Sequence, residues 1–262
     1  RCPAAFCGVV GIKPTYGLVS RYGLVAYANS LEQIGPIAPT VEGAAEFLSV
    51  IAGPDQHDAT TRFDRDDDRD GHPAEGTDYA AAADGDVAGT TIGVPTELVE
   101  GVDPGVREAF DATLDDLASQ GAEITDVELP SVEHAVEAYY VIAMSEASSN
   151  LARFDGVRYG VPAGGGSEDD GTESSGVGGF DGNWNDAFAS SREAGFGDEV
   201  KRRILLGTYA LSAGYQEEYY EKARDARAWV KRDFDSALEK ADVLASPTMP
   251  VPPMELGESL ED

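Results

Sequence analysis

Cysteine and histidine are scarce in this chain of 262 residues, which has two Cys and three His. Two cysteines exclude the disulfide framework of a small secreted protein and fit a reducing compartment. Cys2 and Cys7 would need two further ligands to bind zinc, and the three histidines lie in unrelated polar contexts. Because cysteine is often buried, we expect both side chains to be packed as small hydrophobic groups.

Long hydrophobic runs and basic residues are also lacking. No segment approaches the roughly 18 apolar residues of a membrane span, and no signal segment opens the chain, so we expect a soluble cytoplasmic protein. There are 19 Lys plus Arg against 49 Asp plus Glu, a formal net charge of −30, which disfavours direct nucleic-acid binding. The acidic residues are spread along the chain, and molar salt shortens the Debye length to roughly 3 Å. We therefore interpret the composition as that of a halophile's protein.

Familiar self-contained catalytic motifs are missing from the sequence, among them GxSxG, GxxxxGK and HExxH. The Gly-rich stretch 164–183 lacks the flanking strand and helix of a phosphate-binding loop, and we interpret it as a flexible insertion. The stretch 55–86 is strongly acidic and has almost no apolar periodicity, which indicates a surface linker.

Hydrophobic periodicity and capping residues predict alternating strands and helices. Residues 7–13 are predicted to form a buried strand, and Thr40 to cap a helix that ends at Gly53. Residues 90–95 and 124–129 are predicted to form strands, and Asp103 is predicted to cap a helix that lies between them. Such a unit is typical of a parallel sheet with a crossover helix. We also predict three helices, at about 132–154, 197–212 and 216–241, and a strand at 243–245.

Four segments carry a resemblance to a known family. The run RCPAAFCGVVGIKPTYGLVSRYGLVAYANSLEQIGPIAPTVEGAA (1–45) resembles the core of the amidase signature family, and the resemblance continues through 139–160, 196–215 and 219–238. It implies an α/β fold in which a mixed sheet lies between helical layers, the three-layer α/β/α amidase signature fold, with residues 1–262 forming part of a single domain. The chain begins at Arg1 without Met and stops abruptly at Asp262, so we expect a fragment that is incomplete at both ends.

The resemblance implies a Ser, cis-Ser, Lys triad, in which a lysine activates the nucleophilic serine through a bridging serine. All three residues are expected upstream of Arg1, so no catalytic residue is assigned here and the fragment alone is expected to be inactive. Lys13 lies in a different motif, GIKPTYG, and is expected to cap a loop.

Two residues are candidates for substrate binding. On a helix, Arg203 aligns with Gly207, Ala210 and Gly214, and such small residues let another element approach closely enough to bury part of the arginine. Tyr139 lies on a polar helical face, where it either lines a pocket or is a surface tyrosine, whereas Tyr140 lies on an apolar stripe and is expected to be a packing residue. The resemblance implies that Arg203 binds the α-carboxylate of glutamine and that Tyr139 lines the same pocket.

The function implied by the resemblance is that of a glutaminase subunit in a heterotrimeric tRNA-dependent amidotransferase. It would supply ammonia to a kinase and transamidase subunit, assisted by a small subunit, for converting Glu-tRNA(Gln) or Asp-tRNA(Asn). ATP, Mg2+ and tRNA are expected at the partner, with no cofactor in this chain. The alternatives are a stand-alone amidase acting on another small amide and a non-catalytic scaffold.

Overall fold

A computed structural model describes residues 1–61, 76–159 and 184–257, so the predicted insertion at 164–183 lies outside the described residues. Within the described ranges the chain forms eight α-helices and five strands. In chain order they are α1 (Cys2–Phe6), β1 (Val10–Gly11), β2 (Ile37–Ala38), α2 (Val41–Ile51), β3 (Thr91–Pro95), α3 (Thr96–Val99), α4 (Pro104–Ser119), β4 (Glu123–Val127), α5 (Ala135–Asn150), α6 (Trp184–Gly195), α7 (Asp198–Ala210), α8 (Lys222–Leu238) and β5 (Val243–Leu244).

The chain divides into two compact units. The first unit consists of the described residues within Arg1–Leu24, Gln33–His134 and Ala228–Asp262. The second unit consists of the described residues within Val25–Glu32 and Ala135–Arg227.

A three-stranded parallel sheet in the order β4, β3, β5 organises part of the first unit. The predicted strand–helix–strand unit is confirmed, because β3 and β4 pair in parallel on either side of α4. Asp103 caps α4 as expected: its Oδ1 accepts from the backbone N–H of Gly105 at 2.8 Å. The α/β class is therefore confirmed. Beside the sheet, Val127, Leu129 and Ala237 form a buried cluster.

The helix α2 begins where the sequence predicts. The hydroxyl of Thr40 accepts from the N–H of Gly43 at 3.1 Å, and Leu48 packs with Leu18 and Val19. Part of the predicted acidic linker at 55–86 is packed in this unit, since Asp58 is only 9% exposed and accepts from the backbone N–H of Arg21 at 2.8 Å. Residues 62–75 of that linker lie outside the described residues, and its role as a linker stays a prediction.

Two predictions about the first residues are wrong. Cys2 and Cys7 are exposed rather than buried, because α1 buries Ala4 instead. The predicted strand at 7–13 is confined to β1, because the N–H of Cys7 still bonds the carbonyl of Pro3 and Gly8 then adopts a positive φ of 64°. Lys13 donates to the carbonyl of Pro14 at 2.6 Å, in agreement with a structural role.

The second unit contains α5, α6 and α7, of which α6 was not predicted. Its core forms around Ala138 and Ile142 of α5, which pack with Ala223 and Ala226 of α8. The helices α5 and α7 approach closely at Gly207, where an added Cβ would overlap the carbonyl group of Met144. In the parts of the chain that the structure describes, no helix is long and apolar enough to cross a membrane.

Candidate functional site

Arg203 is held in a fixed position within the second unit. Its Nε donates to Glu199 Oε1 at 2.6 Å, and its Nη1 donates to the hydroxyl of Tyr27 at 2.8 Å. The guanidinium carbon lies over the rings of Tyr27 and Tyr140, at 5.7 and 5.9 Å from their centroids. Only 27% of the side chain is exposed, so two hydrogen bonds and two aromatic faces orient the planar fork.

The small residues that follow Arg203 explain this partial burial. Gly207 and Ala210 are both buried on α7, as their alignment with Arg203 predicts. At Gly207 the main chain of α5 occupies the space that a side chain would need. The close packing of α5 and α7 therefore places Arg203 beside Tyr140 of α5, and the prediction of a partly buried arginine is confirmed.

The segment 25–32 carries Tyr27 and is anchored to the polar face of α5. Asn150 Nδ2 donates to the carbonyl of Tyr27 at 3.0 Å and also bonds Asn29. Glu146 accepts from both the N–H and the hydroxyl of Ser30, at 2.9 and 2.5 Å. Glu146 and Asn150, on the same helical face as Tyr139, therefore hold the segment that carries Tyr27.

Glu199 is the negatively charged member of the site. Arg202 binds its carboxylate through Nε at 2.7 Å and Nη2 at 2.8 Å, while Arg203 binds it from the next position. These hydrogen bonds, from Arg202 first and Arg203 second, lower the pKa of Glu199 to about 2. In return, the bonds to Glu199 and Tyr27 raise the pKa of Arg203. Both arginines are charged and Glu199 is ionised near neutral pH.

An arginine presented in this way suits an anionic ligand. Of its five N–H groups, two are engaged by Glu199 and Tyr27, which leaves three without a partner among the described residues. Parallel N–H groups of this kind bind a carboxylate in bidentate fashion. Within the described ranges, no group of three or more His, Cys, Asp or Glu side chains is placed to hold a metal ion.

The structure tests the predicted role of only one of the two neighbouring tyrosines. Tyr140 is 44% exposed, so its assignment to the core is wrong. At this end of α5 the core is formed by Ala138 and Ile142. Tyr139 is 43% exposed and its ring lies 5.4 Å from that of Tyr140. Its place in a substrate pocket stays a prediction.

Sequence reasoning missed two members of this site. Glu199 had a local signal, because a glutamate three and four residues before two arginines shares their helical face. Tyr27 had none, since it lies 176 residues before Arg203 and only the fold brings the two together.

Comparisons with known proteins agree with this architecture. The Amidase family model matches residues 1–262. The chain is 71% identical over its full length to a glutamyl-tRNA(Gln) amidotransferase subunit from Haloarcula marismortui, covering 56% of that protein. It is 51% identical to the subunit of the same name from Methanosarcina mazei, covering 50%. It thus spans about half the length of these relatives.

Solved structures show the same fold. The crystal structure of a glutamyl-tRNA(Gln) amidotransferase subunit from Thermotoga maritima aligns with the whole chain at a TM-score of 0.69 and 37% identity. The alignment covers 47% of the Thermotoga maritima chain. A peptide amidase from Stenotrophomonas maltophilia aligns with 94% of the chain, and 48% of its own, at a TM-score of 0.65 and 25% identity. The amidase-type α/β fold expected from the sequence is confirmed, and the chain belongs to the amidase family.

Proposed function

We propose that the complete protein is the glutaminase subunit of a tRNA-dependent amidotransferase, in which Arg203 binds the α-carboxylate of glutamine. The observation that carries this proposal is the fixed Arg203 guanidinium, with three unpartnered N–H groups within the described part of the chain. The names of the relatives that match the whole chain support the same activity.

The role proposed for this chain is to bind and orient glutamine. A bidentate contact between Arg203 and the α-carboxylate fixes one end of the substrate, and Tyr139 is proposed to line the same pocket. The side-chain amide is then attacked by the Ser, cis-Ser, Lys triad, which we place upstream of Arg1. The attack releases ammonia and leaves an acyl-enzyme, which water hydrolyses to glutamate.

Partner subunits complete the proposed reaction. A kinase and transamidase subunit, with a small third subunit, would use the ammonia together with ATP and Mg2+ to amidate Glu-tRNA(Gln) or Asp-tRNA(Asn). The net charge of −30 supports placing ATP and tRNA on the partner, since this chain repels polyphosphates. The same acidity and the relative from Haloarcula marismortui support a halophilic, cytoplasmic protein.

The test is ammonia release from glutamine by the complete protein in high-salt buffer, with and without its partner subunits, ATP and charged tRNA. The proposal predicts glutamine hydrolysis that these partners stimulate. Activity that is indifferent to the partners, or confined to other amides, would instead establish a stand-alone amidase. A folded complex with no activity would leave a scaffold as the function.

A further inference from the structure

The first turns of α7 place one carboxylate between two guanidinium groups. We propose that Glu199 is a positioning residue for Arg203 and that Arg202 neutralises Glu199, so that the site keeps a net positive charge for the substrate carboxylate. This inference rests on the proposed function of Arg203 in binding glutamine, and it extends that function to two residues that do not themselves touch the substrate.

Helical spacing creates the arrangement. Arg202 and Arg203 follow Glu199 by three and four residues, so both side chains reach the same carboxylate from one helical face. Glu199 also lies in the first turn of α7, where the partial positive charge of the helix N-terminus stabilises an acid. Its carboxylate is therefore held by two arginines and forms a defined anchor for Arg203.

The contacts to Glu199 and Tyr27 leave a specific edge of Arg203 available. Glu199 engages Nε and Tyr27 engages Nη1, on two different nitrogens of one rigid plane. The three N–H groups without partners in the described ranges belong to Nη1 and Nη2, which can donate two parallel bonds to a carboxylate. Glu199 thus determines which edge of the guanidinium is presented.

The charges explain the need for Arg202. With Arg203 alone, the ionised Glu199 would reduce the local charge to zero, and a substrate carboxylate would gain little electrostatic attraction. Arg202 binds the same carboxylate through two nitrogens and restores a local charge of +1. On a chain of net charge −30, this local excess of positive charge favours an anionic substrate.

Variants of Glu199 distinguish positioning from simple electrostatics. If Glu199 acted only by its charge, Glu199→Ala would strengthen the local positive field and lower the KM for glutamine. Positioning predicts the opposite: Glu199→Ala raises this KM roughly tenfold with kcat nearly unchanged, because the anchor of Nε is lost. Glu199→Gln keeps an oxygen acceptor for Nε, so its KM should stay within about threefold of wild type.

Variants of Arg202 test the charge compensation. Arg202→Gln should raise the KM for glutamine by roughly three- to tenfold with kcat retained, whereas Arg202→Lys, which keeps the charge, should resemble wild type. Adding Glu199→Gln to Arg202→Gln removes the uncompensated carboxylate and should bring KM back toward the wild-type value. A purely structural role of Arg202 would give no such recovery.

The experiment is steady-state ammonia release by the complete subunit in its complex, at fixed salt, for glutamine and for an amide substrate that lacks the α-carboxylate. The proposal predicts that all these KM changes appear with glutamine and disappear with the second substrate. An unchanged KM in both Glu199→Ala and Arg202→Gln, or no recovery in the double variant, would overturn it. Arg203→Ala is the reference: if it also leaves KM unchanged, the proposed function of Arg203 fails, whereas a raised KM there confines the failure to Glu199 and Arg202.

Discussion

Replacing Gly207 by alanine sets two physical effects of opposite sign against each other. In an isolated helix, the change from Gly to Ala is stabilising by about 1 kcal/mol. In this structure the new Cβ would overlap the carbonyl group of Met144 and lie 2.9 Å from the N of Ser145. These are main-chain atoms of α5 and cannot rotate away, so α5 and α7 would have to separate by on the order of 1 Å.

Overpacking of this kind costs about 1–3 kcal/mol, and overlap with main-chain atoms favours the upper end of that range. After the helical gain is subtracted, Gly207→Ala should lower the free energy of unfolding by about 2 kcal/mol. The assay is urea-induced unfolding in molar salt, followed by circular dichroism. Gly195→Ala at the end of α6 is the matched control, since nothing lies within 4 Å of its added Cβ. A Gly207→Ala variant as stable as wild type would refute the close helix contact.

Two further predictions concern the first unit. Asp103→Ala removes the cap of α4 and should lower the free energy of unfolding by about 1 kcal/mol. Asp103→Asn keeps an oxygen acceptor and should be nearly as stable as wild type, and urea unfolding of both variants tests this difference. Burial raises the pKa of Asp58, but the hydrogen bonds to its carboxylate have a larger and opposite effect. The strongest comes from the hydroxyl of Thr60, and the net result is a pKa lowered from 3.8 to about 2. The lowered pKa gives a stabilisation that is complete above pH 3.8 and lost as the pH falls through 2, so Asp58→Asn should flatten the stability curve in that window. A curve as steep as that of wild type would contradict the role of Asp58.

Local signals in the sequence predicted much of the secondary structure. Thr40 and Asp103 place side-chain oxygens at helix starts, and both cap as expected because capping depends only on neighbouring residues. The first strand was predicted too long because Gly8, in the left-handed region, ends a helical turn that an apolar run does not reveal. The helix α6 was missed because the Gly-rich stretch before it offers no apolar pattern to define a start.

The candidate site was predictable to the extent that it is helical. The ridge of Gly207 and Ala210 identified Arg203 as partly buried, since residues four and seven apart share a face. Tyr140 was misplaced because periodicity groups side chains by helical face but does not show which face the core covers at each end of the helix. The contact between Tyr27 and Arg203 could not be predicted from the sequence, because it depends on how Glu146 and Asn150 anchor the segment 25–32.

The proposed function depends on the claim that Arg203 binds the α-carboxylate of glutamine. Equilibrium binding of glutamine and of its analogue without the α-carboxylate tests this claim most directly. It is measured on the complete protein and on its Arg203→Ala variant, each with the proposed nucleophilic serine replaced by alanine so that glutamine is not consumed. We expect the protein with Arg203 to prefer glutamine, and Arg203→Ala to weaken glutamine binding roughly 10- to 100-fold and to abolish the preference. Arg107→Ala, which changes an exposed arginine of α4, is the control and should behave as wild type. An Arg203→Ala variant that still prefers glutamine as strongly as wild type would contradict the account.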